Sequence, residues 1–135
     1  MPEGIGWYQK SFSLPASSRG KQVRIVFDGI FMQSDVYING HHLGHRPYGF
    51  CSIVYDLTPY LKPQGEENFM AVRVNTTGGR PRWYAGAGIY RHAWLEVTNG
   101  VHVETYGTYV TTPKVSTAEA EVSVVTTLKN STTKE

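Results

Sequence analysis

The sequence predicts an all-β protein, built as a β-sandwich of two packed antiparallel sheets. Helical periodicity is almost absent from its 135 residues, whereas apolar and polar residues alternate in short runs between turn residues. The clearest turn is Asn39-Gly40, because both residues tolerate the positive φ of a two-residue hairpin turn. The run 88–97 is apolar on both faces, which is typical of a strand inside a sandwich.

The remaining elements follow from the same alternation and from the residues that interrupt it. Every second residue is apolar in 22–27 and in 68–75, so each of these strands has one face suited to a core. Thr58-Pro59 fits the start of a short helical turn, with Thr58 as N-cap. The pattern predicts strands over residues 7–14, 22–27, 35–38, 50–55, 68–75 and 88–97, with a return strand after the hairpin turn.

Asn99-Gly100 marks a change in composition toward threonine, valine and serine. We therefore expect two domains, residues 1–99 and residues 100–135. Three strands are predicted in the second, over 101–104, 107–112 and 118–128. The last alternates regularly, so it is predicted to be half buried and to need a partner sheet.

Bulk properties exclude several classes of function. The net charge is only +2 and the 13 basic residues are scattered, so we expect no nucleic-acid partner. No stretch approaches the ~20 apolar residues of a membrane span, so no membrane partner is expected. The first residues resemble no signal peptide. The single cysteine, Cys51, lies in an apolar run and is predicted to be buried and inert.

The histidines His41, His42 and His45 form the only cluster that suggests a metal. Neighbours on a hairpin point to opposite faces, and no cysteine or carboxylate is expected in a position to complete a site. We therefore predict a solvated hairpin tip, no metal and no cofactor.

The stretch 82–91 combines aromatic residues, arginines and small residues, and leads directly into a strand. Small residues let a backbone pass close to a neighbour or a ligand, and flat aromatic rings can stack on sugars or cover a polar cleft. From residue chemistry alone, a loop packed on its own sandwich is an equally good interpretation.

Four segments, residues 6–12, 35–44, 55–61 and 82–91, resemble in order the sugar-binding domain of glycoside hydrolase family 2, the β-galactosidase and β-glucuronidase group. The resemblance implies a jelly-roll, galactose-binding-domain-like sandwich, followed by the opening strands of an incomplete immunoglobulin-like domain. It also implies that this chain is part of a larger enzyme whose (β/α)₈ catalytic barrel lies elsewhere.

Enzymes of this family are retaining glycosidases, which need two carboxyl groups ~5–5.5 Å apart. In the family both belong to the barrel and one is a glutamate that follows an asparagine, and no glutamate of this chain does. The resemblance therefore implies no catalytic residue here and no activity of this chain alone.

By resemblance, the loop of the first domain leans over the barrel mouth. Arg82, Trp83 and Tyr84 are then the predicted rim of the sugar pocket, although Trp83 and Tyr84 could equally serve as packing between domains. Gly86 and Gly88 would permit the backbone path. Arg91 is predicted to be structural, paired with a carboxylate or carbonyls inside the sandwich.

Three functions follow from these observations. The first is a non-catalytic portion of a β-galactosidase, whose partners are a β-galactoside or related glycan and the barrel of the same enzyme. The second is a stand-alone carbohydrate-binding module, and the third is a structural or assembly domain. We expect the exposed strands over 101–128 to pair between chains as a dimer, to swap or to fold back. Localisation stays open, with the periplasm or secretion expected for a polysaccharide-degrading bacterium.

Overall fold

The computed structural model of the chain describes residues 4–78 and 87–133. The chain divides into two compact units, Met1–Val97 and Thr98–Glu135. The described residues form β1 (Ile5–Phe12), β2 (Gln22–Phe27), β3 (Ile30–Phe31), β4 (Ser34–Ile38), β5 (His41–Arg46), β6 (Ile53–Asp56), β7 (Asn68–Asn75), β8 (Gly88–Ile89), β9 (Ala93–Thr98), β10 (Val101–Val115) and β11 (Ala120–Asn130). The predicted all-β, antiparallel fold class is confirmed.

The first unit packs its sheets around one apolar core. A four-stranded sheet has the order β1-β7-β4-β5, a three-stranded sheet has the order β6-β2-β9, and β3 pairs with β8. Alternate residues of β2, β4 and β7 face inward because successive side chains of a strand point to opposite faces. Among the buried core residues are Val23, Ile25, Phe27, Ile30, Val36, Ile38, Ile53, Leu57, Met70, Val72 and Val74.

The predicted hairpin joins β4 to β5. Ile38 pairs with His41, and the two turn residues between them, Asn39 and Gly40, have φ values of 49° and 85°. These values are those that the Asn-Gly sequence tolerates best.

The Asn39 side chain ties the hairpin to its neighbours. Its amide nitrogen donates to the Tyr60 carbonyl and to the Asn68 Oδ1 atom, both at 2.8 Å, and its Oδ1 atom accepts from the Phe69 amide at 2.9 Å. Asn68 is 1% exposed and also accepts from the Lys62 amide at 2.9 Å. The buried side-chain amide of Asn68 is therefore hydrogen-bonded, as buried polar groups in folded proteins usually are.

Three local predictions are wrong. The run 88–97 is broken into β8 and β9 at Tyr90–His92, and β9 lies at the end of its sheet with most of its residues exposed. Thr58 is not an N-cap: Leu57 holds that position, while the Thr58 hydroxyl accepts from the Val23 amide at 2.9 Å. Tertiary hydrogen bonding thus overrides the local capping preference.

The second unit is a two-stranded ribbon of β10 and β11. The two strands predicted over 101–104 and 107–112 form one strand, because the ribbon accommodates Tyr106, at φ 59°, in a register shift between Val103 and Thr108. The predicted strand over 118–128 corresponds to β11, all of whose residues are exposed in this chain. The assignment to an immunoglobulin-like domain stays a prediction.

No helix among the described residues has the length and apolarity needed to span a lipid bilayer.

We predict that Asn39→Gly lowers the free energy of unfolding by about 2 kcal/mol, since the turn keeps its conformation but loses the side-chain hydrogen bonds. Asn39→Ala should cost ~1 kcal/mol more, because alanine resists positive φ. Urea unfolding measures both, with Glu67→Ala, at an exposed position, as control. Equal stability of Asn39→Gly and the unaltered protein would contradict the role of the network.

Candidate functional site

Four of the predicted loop residues, Arg82, Trp83, Tyr84 and Gly86, lie outside the described residues. Gly88 and Arg91, which follow them, are described. Gly88 is buried and pairs with Phe31 across the β3–β8 contact. Its φ of 106° and the Tyr8 hydroxyl beside it leave no room for a Cβ atom, so only glycine fits here.

Next to Gly88 lies an open cleft of about 320 Å³. It is lined by Gly4, Ile5, Gly6, Tyr8, Val74, Thr76, Ala87 and Gly88. The cleft runs along the first residues of β1, and apolar surface predominates in its lining.

Four aromatic side chains gather where the chain leaves the 79–86 stretch, and we call them the aromatic patch: Phe31, Tyr48, Phe50 and Tyr90. The centroid of the Phe50 ring lies 5.3 Å from that of Phe31, 5.6 Å from that of Tyr48 and 6.3 Å from that of Tyr90. Phe31 is buried, whereas Tyr48 and Phe50 are 63% and 56% exposed. An exposed cluster of rings on a single unit is surface available for a partner or ligand.

Two glycines fix the position of these rings. The Tyr90 hydroxyl donates to the Gly49 carbonyl at 3.0 Å, and the Tyr90 ring lies so close to Gly29 that a Cβ atom there would stand 2.6 Å from its Cζ atom. A Cβ atom on Gly49 would likewise stand 2.6 Å from the Phe31 ring. The Phe31 and Tyr90 rings therefore rest directly on the backbone, which holds these two rings in place before anything binds.

Arg91 is not inside the sandwich, as the sequence suggested. It is exposed, and its guanidinium carbon lies 5.6 Å from the centroid of the Tyr90 ring, over the face of the ring. The buried arginine is Arg24, whose guanidinium lies 3.5 Å from the Glu96 carboxylate. Alternation along β2 did not identify it, because Arg24 points away from the shared apolar face of that strand.

Cys51 is exposed, so the prediction of a buried thiol is wrong. The strand in which it was placed begins only at Ile53. Residues 48–52 form an irregular segment that carries part of the aromatic patch, and the Cys51 thiol lies 3.8 Å from the Tyr48 carbonyl.

Asp35 organises a charged cluster on the outer face of the four-stranded sheet. Its Oδ1 atom lies 3.1 Å from the His42 Nε2 atom and 3.0 Å from the His45 Nδ1 atom, and its Oδ2 atom accepts from the Arg73 Nη1 atom at 3.1 Å. The expectation that no carboxylate is placed beside these histidines is therefore wrong.

A β-bulge explains why the alternation in the sequence did not predict that these histidines and Asp35 lie together. The register of β4 and β5 shifts between the pairs Val36–Gly44 and Tyr37–His42, so Leu43 is an extra residue. The shift puts His42 and His45 on the same face although they are three positions apart, a spacing that places residues on opposite faces of a regular strand. Among residues 4–78 and 87–133, no three side chains of His, Cys, Asp or Glu are grouped so as to hold a metal ion.

Partial burial by itself raises the pKa of the Asp35 carboxyl, but hydrogen bonds from His45, His42 and Arg73 favour the ionised form and outweigh it. The pKa of Asp35 therefore lies below its ordinary value of 3.8. The cluster is a structural charge network, in which Asp35 holds β4, β5 and β7 together.

The other two aspartates near strand ends also accept hydrogen bonds. Asp28 Oδ2 accepts from the Trp94 indole nitrogen and Asp56 Oδ1 from the Thr58 amide, each at 2.9 Å. These carboxylates orient neighbouring segments. What the described surface offers a sugar is aromatic area in fixed positions, suited to packing and orientation.

A family model matches residues 2–102 of the chain, and its description is the sugar binding domain of the glycosyl hydrolases family 2. A β-galactosidase of Bacteroides ovatus is 52% identical over 131 residues, which cover 96% of this chain and 15% of that protein. A β-glucuronidase of Formosa agariphila is 38% identical over 148 residues, covering 94% of this chain and 15% of that protein.

A solved structure shows the same fold. The family 2 glycosyl hydrolase of Bacteroides cellulosilyticus superimposes with a TM-score of 0.88 at 46% identity, covering 95% of this chain and 18% of that chain. The chain thus spans less than a fifth of the length of these relatives.

We predict that Asp35→Asn destabilises the protein by ~1 kcal/mol at neutral pH. Because the folded-state pKa is depressed, the stabilisation by the carboxylate is complete above its ordinary pKa of 3.8 and is lost as the pH falls through the folded-state value. Urea unfolding between about pH 7 and pH 2 should show the two proteins converge at acid pH.

The exposed Glu67→Gln variant is the matched control and should show no such convergence. A stability difference for Asp35→Asn that stays constant over the whole pH range would contradict a role for the ionised carboxylate.

Proposed function

Because the chain belongs to glycoside hydrolase family 2, of which it carries the sugar-binding domain, we propose that it is the non-catalytic portion of a β-galactosidase. In this proposal the domain packs on the catalytic barrel of the same enzyme and shapes the mouth of its substrate pocket. Hydrolysis of the O-glycosyl bond belongs to the barrel.

The observation that carries this proposal is the aromatic patch. Its Phe31 and Tyr90 rings rest against backbone glycines, and the exposed Phe50 ring lies beside both of them. Arg82, Trp83 and Tyr84, in the 79–86 stretch, are the proposed rim of the sugar pocket. Rings held rigidly in this way would orient a sugar at a lower entropic cost at the moment of binding.

The choice of a galactoside is supported by the relatives. The Bacteroides ovatus β-galactosidase is 52% identical to this chain, against 42% for a putative β-glucuronidase and 38% for a β-glucuronidase of Formosa agariphila. A β-glucuronidase is the second candidate, since both activities occur among proteins that share this domain.

The first test uses the full-length enzyme that carries this domain and compares hydrolysis of an aryl β-galactoside with that of the matching β-glucuronide. We expect the galactoside to have the higher kcat/KM by roughly a hundredfold, an amount that a site built for one C6 group readily supplies. Faster hydrolysis of the glucuronide would establish the second candidate, and turnover by the 135-residue chain alone would contradict a non-catalytic role.

We further predict that Phe50→Ala in the full-length enzyme lowers kcat/KM for the galactoside about tenfold, mainly through KM, because a positioning ring is lost. Tyr60→Ala is the control, since Tyr60 is a partly exposed aromatic residue of the same unit outside the aromatic patch. Equal effects of the two substitutions would contradict a role of the patch at the substrate pocket.

The β10–β11 ribbon supports a proposal about partners. Val122, Val124 and Leu128 are more than half exposed in this chain. They form an apolar surface that another surface is expected to cover. In the full-length enzyme the cover is the rest of the same domain, and in the 135-residue chain alone it is a second copy of the ribbon.

Sedimentation of the 135-residue chain should therefore show concentration-dependent dimers. Val122→Lys together with Val124→Lys should shift the chain to monomers, because charges would be placed in the apolar contact. Ser123→Lys together with Thr127→Lys, on the opposite face of β11, is the matched control. A monomer at all concentrations would contradict the proposal.

A further inference from the structure

The outer face of the four-stranded sheet carries a second concave surface, which we call the outer cleft. It has a volume of about 450 Å³ and is lined by Trp7, Gln9, Tyr37, Gly40, Phe69 and Ala71. This volume lies in the range of ~300–1,000 Å³ that is typical of small-ligand sites. The outer cleft shares no residue with the aromatic patch.

Ala71 makes the depression. It pairs with Gln9 of β1 on one side and with Tyr37 of β4 on the other, so a methyl group stands between two long side chains. Trp7 and Phe69 rise beside it and are 54% and 40% exposed. The outer cleft thus has a low floor and aromatic walls.

The rings form a continuous row across the sheet. The centroids of Trp7 and Tyr37 lie 5.9 Å apart with an interplanar angle of 37°, and those of Tyr37 and His42 lie 4.9 Å apart at 40°. Contact with Tyr37 restricts the orientation of the Trp7 ring while leaving more than half of that residue exposed. An exposed and oriented indole face is suited to stacking against a flat, weakly polar surface.

Polar groups stand at the edge of the outer cleft. The Gln9 side chain has no hydrogen-bond partner among the residues that the structure describes, so its amide can donate to and accept from a ligand. Arg73, which pairs with Trp7 across β1 and β7, is held by the Asp35 carboxylate. Because the positive charge of Arg73 is already paired with the Asp35 carboxylate, the edge of the outer cleft favours a neutral ligand over a charged one.

We propose that the outer cleft is a carbohydrate-binding site for a neutral pyranose ring of an oligosaccharide. One face of a pyranose presents C–H groups, which pack on the Trp7 ring, and its rim presents hydroxyls, which hydrogen-bond to the Gln9 amide. Such a ligand matches the aromatic ring of Trp7, the space left by the small Ala71 side chain, and the Gln9 amide that is available for hydrogen bonding. This site goes beyond the function proposed above, since none of its residues is assigned to the substrate pocket.

The test is isothermal titration of the 135-residue chain with a short β-galactan oligosaccharide and, separately, with a short β-glucan oligosaccharide. Trp7→Leu keeps an apolar side chain but removes the π face, so it should weaken binding about tenfold. Trp7→Phe keeps a ring and should bind within about threefold of the unaltered chain. Tyr109→Leu, which removes an exposed ring of the second unit, should have no effect.

Phe69→Leu supplies a second variant in case Trp7→Leu lowers the thermal midpoint of unfolding, and it should also weaken binding. No binding of either oligosaccharide by the unaltered chain would overturn the proposal, as would equal binding by Trp7→Leu, Phe69→Leu and Trp7→Phe. Hydrolysis by the full-length enzyme is measured separately, so the failure of the outer cleft and the failure of the proposed function are distinguishable.

Discussion

The register of β7 is the constraint on which both faces of the larger sheet depend. β7 lies between β1 and β4, and it sends Met70, Val72 and Val74 into the core. A slip of one residue would bring the opposite face of the strand inward, because neighbouring side chains of a strand alternate. The Asn39–Asn68 hydrogen bond fixes one end of β7 and the Asp35–Arg73 ion pair fixes the other. Hydrogen bonds and an ion pair between polar side chains therefore fix the register of β7, and this register places the apolar side chains of the strand in the core.

The aromatic patch depends on a different kind of constraint, the absence of side chains. Phe31, Phe50 and Tyr90 come from three separate segments and meet only because Gly29 and Gly49 let rings rest on the backbone. Aromatic surface of this kind suits the positioning role that we propose for the domain, because fixed rings can orient a bound sugar.

Family membership and surface chemistry contribute different information. The match over residues 2–102 and the fold shared with family 2 enzymes establish what kind of domain this is. A domain of this kind occurs in enzymes named for two different sugars. Function therefore has to be argued from surfaces, and the aromatic patch and the outer cleft are two aromatic surfaces among the described residues on which such an argument rests.

The sequence by itself determined the antiparallel strands, the Asn39-Gly40 hairpin and the bounds of β2 and β7, because each follows from alternation or turn chemistry among neighbouring residues. It also determined the family, through four segments in order. Only the tertiary structure decided that Leu43 is a bulge, that Cys51 and Arg91 are exposed, and that Asp35 joins two histidines to Arg73. It also decided that the apolar run 88–97 breaks at Tyr90, where the ring turns to reach the Gly49 carbonyl. The physical reason is that Asp35 and Tyr90 are held by partners 7–41 residues away, and alternation along a strand carries no information about such partners.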